Sequence, residues 1–257
     1  MNVKAKKHLG QHFLTDENIA KKIVEGLDFQ PYQYVLEVGP GTGVLTKYLL
    51  EKPTETYVAE IDTESIEYLK LHYQKLENKH FTGDFLKINL SDVFSGEVAV
   101  ICNFSYNISS QILFKIIENY QQIPEMVGMF QKEVAERTAA VPRTKDYGIL
   151  SVLVQAYYDV KYLFTVHENV FNPPPKVKSG VIKLTRNRKE GLEGNEILFK
   201  QIVKTGFGQR RKKLSNALKS LDIPEVLKSH AFMDKRAEEL SVEDFINFTQ
   251  EWKAAKN

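Results

Sequence analysis

The stretch Val35-Leu36-Glu37-Val38-Gly39-Pro40-Gly41-Thr42-Gly43-Val44-Leu45-Thr46 constrains this chain more than any other. A short apolar run of strand character ends in a turn with three glycines. An amphipathic segment (Val44, Leu45, Tyr48, Leu49) follows, so the spacing predicts strand, tight loop, helix. A loop of this kind lets a ligand come close to the main chain. The glycines spell G-x-G-x-G, whereas the dinucleotide fingerprint G-x-G-x-x-G needs a glycine where Val44 stands, which argues against a nicotinamide dehydrogenase. Two acids suit another nucleoside ligand: Glu37, two residues before the first glycine, and Glu60, at the end of the strand-like run 56–62. An acid after the second strand can hold ribose hydroxyls by charge-assisted hydrogen bonds, and the glycine loop leaves room for a methionine moiety, so the expected ligand is S-adenosylmethionine.

Strand-like runs recur near 33–39, 56–62, 79–83, 97–103, 125–131, 150–158 and 178–185, with helical patterns between most of them. That alternation predicts an α/β domain with a mostly parallel sheet. Thr15 or Asp16 can cap a helix running to about residue 27, and Asp62 can cap the helix after the second of these strands. Ile108, Ile112, Leu113, Ile116, Ile117 and Tyr120 make one apolar helical face after the strand at 97–103. Past Arg186-Asn187-Arg188-Lys189-Glu190-Gly191 the pattern is helical to the end, which divides the chain into an α/β domain over 1–186 and a small all-helical domain over 187–257. At 257 residues and 42% hydrophobic the chain can fill a sizeable core. Cys102 is the only cysteine, so no internal disulfide is expected, and it reads as a packed hydrophobe in a central strand. No apolar run approaches the length of a membrane span, and the lysines of the first ten residues precede no apolar core, so the expected setting is cytoplasmic.

Charge is distributed unevenly. Residues 169–221 carry thirteen Lys/Arg against three acids, a local excess of +10 in a chain whose total is +2, leaving −8 for the remainder. An asymmetry of that sign marks a nucleic-acid face, with Lys176, Lys178 and the cluster Arg210, Arg211, Lys212 and Lys213 as candidate phosphate ligands. A second chemical constellation, Asn103-Phe104-Ser105-Tyr106, ends the strand at 97–103. Ligands of open α/β sheets bind beyond the carboxyl ends of the strands, which places Asn103 and Tyr106 over the same crevice as the glycine loop. The Asn103 amide oxygen and a neighbouring main-chain carbonyl can accept both hydrogens of an exocyclic adenine amine. They would favour the tetrahedral nitrogen that develops as a methyl group arrives. No metal, histidine base or covalent nucleophile is required.

Seven segments, in order, then carry a family resemblance: Gln11-His12-Phe13-Leu14, Glu37-Val38-Gly39-Pro40-Gly41, Glu60-Ile61-Asp62, Gly83-Asp84, Asn103 to Ser109, Phe171 to Ser179, and Gln209 to Leu214. Together they resemble the small-subunit ribosomal RNA adenine-N6,N6-dimethyltransferases of bacteria. The resemblance implies a Rossmann-like class I methyltransferase domain followed by a helical RNA-binding domain. It implies that His12, Leu14, Gly39, Glu60, Asp84 and Asn103 hold the cofactor, Glu60 on the ribose and Asp84 on the adenine amine. Tyr106 and Phe171 would stack on the flipped target base. The implied partner is small-subunit rRNA in a pre-ribosomal particle, methylated at two adjacent adenines of the 3′-terminal hairpin loop by a monomeric enzyme with a role in small-subunit biogenesis. Two alternatives share parts of the pattern: a large-subunit rRNA adenine methyltransferase of the macrolide-resistance type, and a non-catalytic rRNA-binding assembly factor. The segment Arg236-Ala237-Glu238-Glu239-Leu240 favours the small-subunit enzyme, and an intact Asn103 and Tyr106 speak against the assembly factor. Two positions depart from the usual pattern: Ser105 stands where relatives have proline, and His12 where they have asparagine.

Overall fold

The computed structural model describes residues 3–103 and 108–256. Phe104, Ser105 and Tyr106, to which the sequence assigns part of the base pocket, lie outside the described residues. The chain forms two compact units, Met1–Ala135 with Val160–Arg186, and Glu136–Asp159 with Asn187–Asn257. The division after Arg186 was expected; residues 136–159, assigned from sequence to the α/β domain, belong to the second unit instead.

The first unit is α/β and Rossmann-like. Its elements in chain order are β1 (Phe13–Leu14), α1 (Glu17–Val24), β2 (Tyr34–Val38), α2 (Thr46–Leu49), β3 (Glu55–Glu60), α3 (Thr63–His72), β4 (His80–Thr82), α4 (Leu90–Val93), β5 (Val98–Asn103), α5 (Ser109–Glu118) and β6 (Glu125–Gln131). After α6 (Lys132–Thr138) and α7 (Ile149–Gln155) come β7 (Tyr158–Val166), β8 (Phe171–Asn172) and β9 (Ser179–Arg186). The main sheet has the order β4-β3-β2-β5-β6-β9-β7, and β1 pairs with β8 in a separate two-stranded ribbon. β4, β3, β2, β5 and β6 run parallel, and β9 is antiparallel to β6. The strand order turns back between β2 and β5, and such a switch point opens a crevice at the carboxyl ends of the strands.

Parallel strands are covered on both faces, which is why β2 and β5 read as nearly continuous apolar runs. Val35, Ala99, Ile101 and Val127 pack with Ala20, Ile23 and Val24 of α1, while the alternate residues Leu36, Val100 and Cys102 are equally buried. Helix α1 starts where the Asp16 carboxylate accepts the Asn18 and Ile19 N–H groups, at 2.9 and 3.0 Å. Such a cap stabilises by about 1 kcal/mol. In α5 the buried face is Ser109, Ile112, Leu113 and Ile116; Ile117 is half-buried, as are Ile108 before the helix and Tyr120 after it.

The run 150–158, predicted as a strand, is mostly helix α7, and the strand follows it. Ile149-Leu150-Ser151-Val152-Leu153-Val154 is nearly continuous in apolar residues, and a short run of this kind fits a buried helix as well as a buried strand. Ser151 decides it: its Oγ accepts the Gly148 N–H at 3.0 Å, which caps the first turn, and donates to the Arg137 carbonyl at 2.6 Å.

The second unit is helical, with α7, α8 (Glu196–Gly208), α9 (Leu214–Ala217), α10 (Val242–Ala254) and several 3-10 turns. Tyr147 meets Phe207 edge-on, Phe207 meets Phe245, and the buried Tyr147 hydroxyl donates to the Leu240 carbonyl at 3.0 Å. Lys213 precedes the four-residue α9; Leu214 and, just past its end, Leu218 are buried, and Leu221 is half-buried. Among the described residues no helix is long and apolar enough to cross a membrane.

Candidate active site

Strand register assembles the site. Val38 is level with Ala59 of β3 and with Cys102 of β5, so the chain leaves β2 as Gly39, β3 as Glu60 and β5 as Asn103 at one edge of the sheet. Glu60 in turn is level with Thr82 of β4, which brings Gly83 and Asp84 to the same edge. There a cavity of ≈ 260 Å³ is lined by His12, Leu14, Gly39, Glu60, Asp84 and Asn103. All six residues expected to hold the cofactor therefore surround one space.

The glycine loop follows from main-chain geometry. Gly39, Gly41 and Gly43 have φ of 70°, 55° and 87°, the left-handed region that side chains disfavour. A Cβ on Gly41 would stand 2.9 Å from the Phe13 ring, and one on Gly43 would stand 2.6 Å from the Tyr73 ring. Glu60 ties the loop to β3: one carboxylate oxygen accepts the Gly41 N–H at 3.0 Å and the other accepts the Asp62 N–H at 2.9 Å. Burial raises the Glu60 pKa, and these main-chain donors oppose the rise. A carboxylate has about four acceptor sites, so its main-chain donors leave capacity for a hydroxyl group entering the cavity. Asp84 accepts the Leu86 N–H at 3.0 Å, which fixes one oxygen and leaves the other as an acceptor beside the cavity.

Glu37 is 1% exposed, and burial is the main cause that pushes its pKa up to about 8. The Thr46 hydroxyl donates to its Oε2 at 2.6 Å, while Oε1 has no hydrogen-bond partner. Glu37 does not line the cavity; it is a buried acid in β2, just before the glycine loop, tied to α2 through Thr46.

The N-terminal arm roofs the cavity. The His12 Nδ1 lies 2.7 Å from the Pro173 carbonyl, so Nδ1 is the donor there. Phe13 and Ile61, to which the sequence gives no role, also line the cavity. Ile61 carries a signal: it is a large apolar residue directly after Glu60, and it is 56% exposed.

Phe171, expected to stack on a flipped adenine, does not line this cavity. It is 5% exposed and packs with Leu14, its partner in the β1–β8 ribbon. Core packing beside the arm strand leaves the ring without an open face. Stacking on Phe171 would require β1 to leave β8.

The basic candidates divide. Lys176, Lys178, Arg211 and Lys212 are exposed. Arg210 is bound within its own unit, donating to Glu238 at 2.5 Å and to the carbonyls of Lys145 and Thr144 at 2.8 and 3.0 Å. Lys213 pairs with Asp234 at 2.9 Å.

Residues 2–254 match a family model described as ribosomal RNA adenine dimethylase. The chain belongs to this family. It is 58% identical to ribosomal RNA small subunit methyltransferase A of Flavobacterium johnsoniae over 253 residues, covering 98% of this chain and 97% of the relative. The corresponding protein of Cytophaga hutchinsonii is 56% identical over 249 residues, 96% of each. Among solved structures, a dimethyladenosine transferase from Plasmodium falciparum superposes with a TM-score of 0.84 at 26% identity, covering 95% of this chain and 98% of that one. The 23S rRNA methyltransferase ErmE gives 0.70 at 25% identity, covering 94% and 99%. As an rRNA adenine dimethylase the protein is an S-adenosylmethionine-dependent methyltransferase acting on ribosomal RNA.

Proposed function

We propose that this dimethylase acts on small-subunit rRNA, at N6 of two adjacent adenines in the 3′-terminal hairpin loop. It would do so within a pre-ribosomal particle, as a cytoplasmic monomer contributing to small-subunit biogenesis. Similarity to small-subunit enzymes over nearly their full length supports the substrate class. The observation that carries the chemistry is Asn103 leaving β5 level with the glycine loop across the switch point and lining the cavity.

S-adenosylmethionine supplies an electrophilic methyl group on a sulfonium. Glu60 would accept hydrogen bonds from the ribose hydroxyls with the acceptor capacity its main-chain donors leave. Asp84 accepts from the adenine amine of the cofactor, Gly39 brings main chain against the methionine moiety, and His12 and Leu14 close the site from above. The N6 lone pair of the target adenine is delocalised into its ring and is poorly nucleophilic. The Asn103 amide oxygen accepts one N6 hydrogen and becomes a better partner as the nitrogen turns tetrahedral and gains positive charge, which lowers the barrier rather than tightening the ground state. The resemblance assigns the second acceptor to the Phe104 carbonyl and the stacking ring to Tyr106. The helical unit is the proposed RNA-binding domain, with Arg211 and Lys212, and separately Lys176 and Lys178, binding phosphates. Arg210 and Lys213 serve their ion pairs first.

Methyl transfer from labelled S-adenosylmethionine to undermodified small and large subunits, with the modified positions mapped, tests the proposal. Two adjacent dimethylated adenines in small subunits are expected. Label confined to large subunits, or none, would overturn it.

A further inference from the structure

Asp62 is an N-cap by sequence and more than a cap in the structure. Its side chain is fully buried and begins α3 by accepting the Glu64 N–H at 3.2 Å and the Ser65 hydroxyl at 3.0 Å. The same carboxylate also accepts Lys6 Nζ at 2.5 Å and Gln11 Nε2 at 3.0 Å, both from the N-terminal arm. The arm closes on itself at this point, since the Lys6 N–H donates to Gln11 Oε1 at 2.8 Å around the 3-10 turn Lys7–Leu9. Burial opposes the charge on Asp62, but hydrogen bonds from Lys6, Gln11 and Ser65 outweigh it and hold the carboxyl below its usual range. The clamp is thus charged at neutral pH.

Beyond the clamp the arm crosses the cavity with Gln11, His12, Phe13 and Leu14 in its lining and the Phe13 ring against Gly41. It is held at the far side by main chain. Leu14 pairs with Phe171, and the Thr15 N–H and hydroxyl both donate to the Val170 carbonyl at 2.9 Å. One end of the roof is therefore a strand pairing over buried core, and the other is a side-chain clamp whose lysine is 25% exposed.

We propose that Asp62 is a positioning residue for the methyl donor, clamping the N-terminal arm over the cofactor cavity through Lys6 and Gln11, and that this clamped end opens for cofactor exchange. The inference rests on the cavity being the cofactor site. Lys6 does not line the cavity, so its effect on the cofactor passes through the arm. Asparagine caps helices about as well as aspartate, so Asp62→Asn keeps the start of α3 and weakens the hold on Lys6.

The test is stopped-flow binding of S-adenosylhomocysteine to the full chain, with amide exchange of residues 7–14 followed in parallel. Lys6→Met and Asp62→Asn should each raise the dissociation rate about two- to tenfold, with no slower association, and should speed amide exchange in the arm. Lys6→Arg should restore the parent rate, which a merely structural role for Lys6 would not require. Unchanged dissociation in both variants, with a parent that binds, overturns the clamp. An effect of Asp62→Asn with Lys6→Met silent also overturns it and leaves Asp62 as a helix cap. A folded parent that fails to bind S-adenosylhomocysteine overturns the cofactor reading itself, and this inference with it.

Discussion

Glu37 lies near the end of β2, just before the glycine loop, and Asn103 ends the neighbouring strand β5; their surroundings give them opposite duties. Glu37 is sealed from water, so its carboxyl ionises near 8 in the folded protein, against about 4.5 when the chain is unfolded. Between those values the folded state binds more protons than the unfolded one, so stability falls as pH rises, by up to about 1.4 kcal/mol per pH unit, and levels off above the folded value. Glu37→Gln removes this titration. Thermal unfolding of parent and variant from pH 5.5 to 8.5 should show the parent losing stability relative to the variant; parallel curves would mean that Glu37 is ionised throughout. Asn103 faces the cavity, and its effect is expected in turnover. Asn103→Ala should lower kcat for methyl transfer about 10²- to 10³-fold, the loss typical of one transition-state hydrogen bond, while S-adenosylhomocysteine affinity measured by calorimetry stays within a few-fold. Near-parent turnover would remove it from the chemistry.

Elements are legible in proportion to how local their signals are. The β2–loop–α2 unit is encoded by residues that touch each other, so strand, turn and cavity position follow from a dozen positions. The α1 cap at Asp16 and the inert, buried Cys102 are equally local. The errors arise where distant chain decides. Helix α7 reads as a strand because its run is apolar on nearly all sides, and Phe171 reads as an open ring because its cover, Leu14, is 157 residues away in sequence. A cluster that no motif announces joins the segment before β2 to the far side of the sheet. Glu125, 3% exposed, accepts the Tyr32 hydroxyl at 2.5 Å and the Asp28 N–H at 3.0 Å, and pairs with Lys183 of β9 at 2.6 Å. Removing one partner of such a pair leaves a nearly buried charge without its best neighbour, although Lys183 retains Asp28 at 2.7 Å. Glu125→Ala should therefore cost about 3 kcal/mol in denaturant unfolding, and Glu125→Gln less; a cost below about 0.5 kcal/mol would show that solvent reaches the cluster.

At the scale of the molecule, the basic excess over residues 169–221 overstates the positive charge offered to RNA. Of those cations, Lys183, Arg186, Arg188, Arg210 and Lys213 are paired with Glu125, Glu97, Glu243, Glu238 and Asp234. All five acids lie outside the window, so a count along the sequence cannot see the neutralisation. Arg211 and Lys212, by contrast, are exposed and carry no ion pair among the described residues. Neighbours in sequence thus make separable predictions. Removing one cation that neutralises a phosphate lowers the slope of log affinity against log salt by about 0.7 to 0.9. The double variant Arg211→Ala, Lys212→Ala should flatten the slope for rRNA binding by about 1.4 to 1.8, with unfolding and cofactor affinity unchanged. Arg210→Ala should leave the slope near the parent value and lower stability by about 1 to 3 kcal/mol, because Glu238 and the carbonyls of Thr144 and Lys145 lose their shared donor. Filter binding across a salt series together with denaturant unfolding separates the two effects. If Arg210→Ala flattens the slope as much as the double variant while unfolding stays unchanged, Arg210 leaves Glu238 when RNA binds and the whole cluster grips phosphate. If the double variant leaves the slope in place, Arg211 and Lys212 are a solvated face, and phosphate binding must come from Lys176, Lys178 and the remaining exposed lysines.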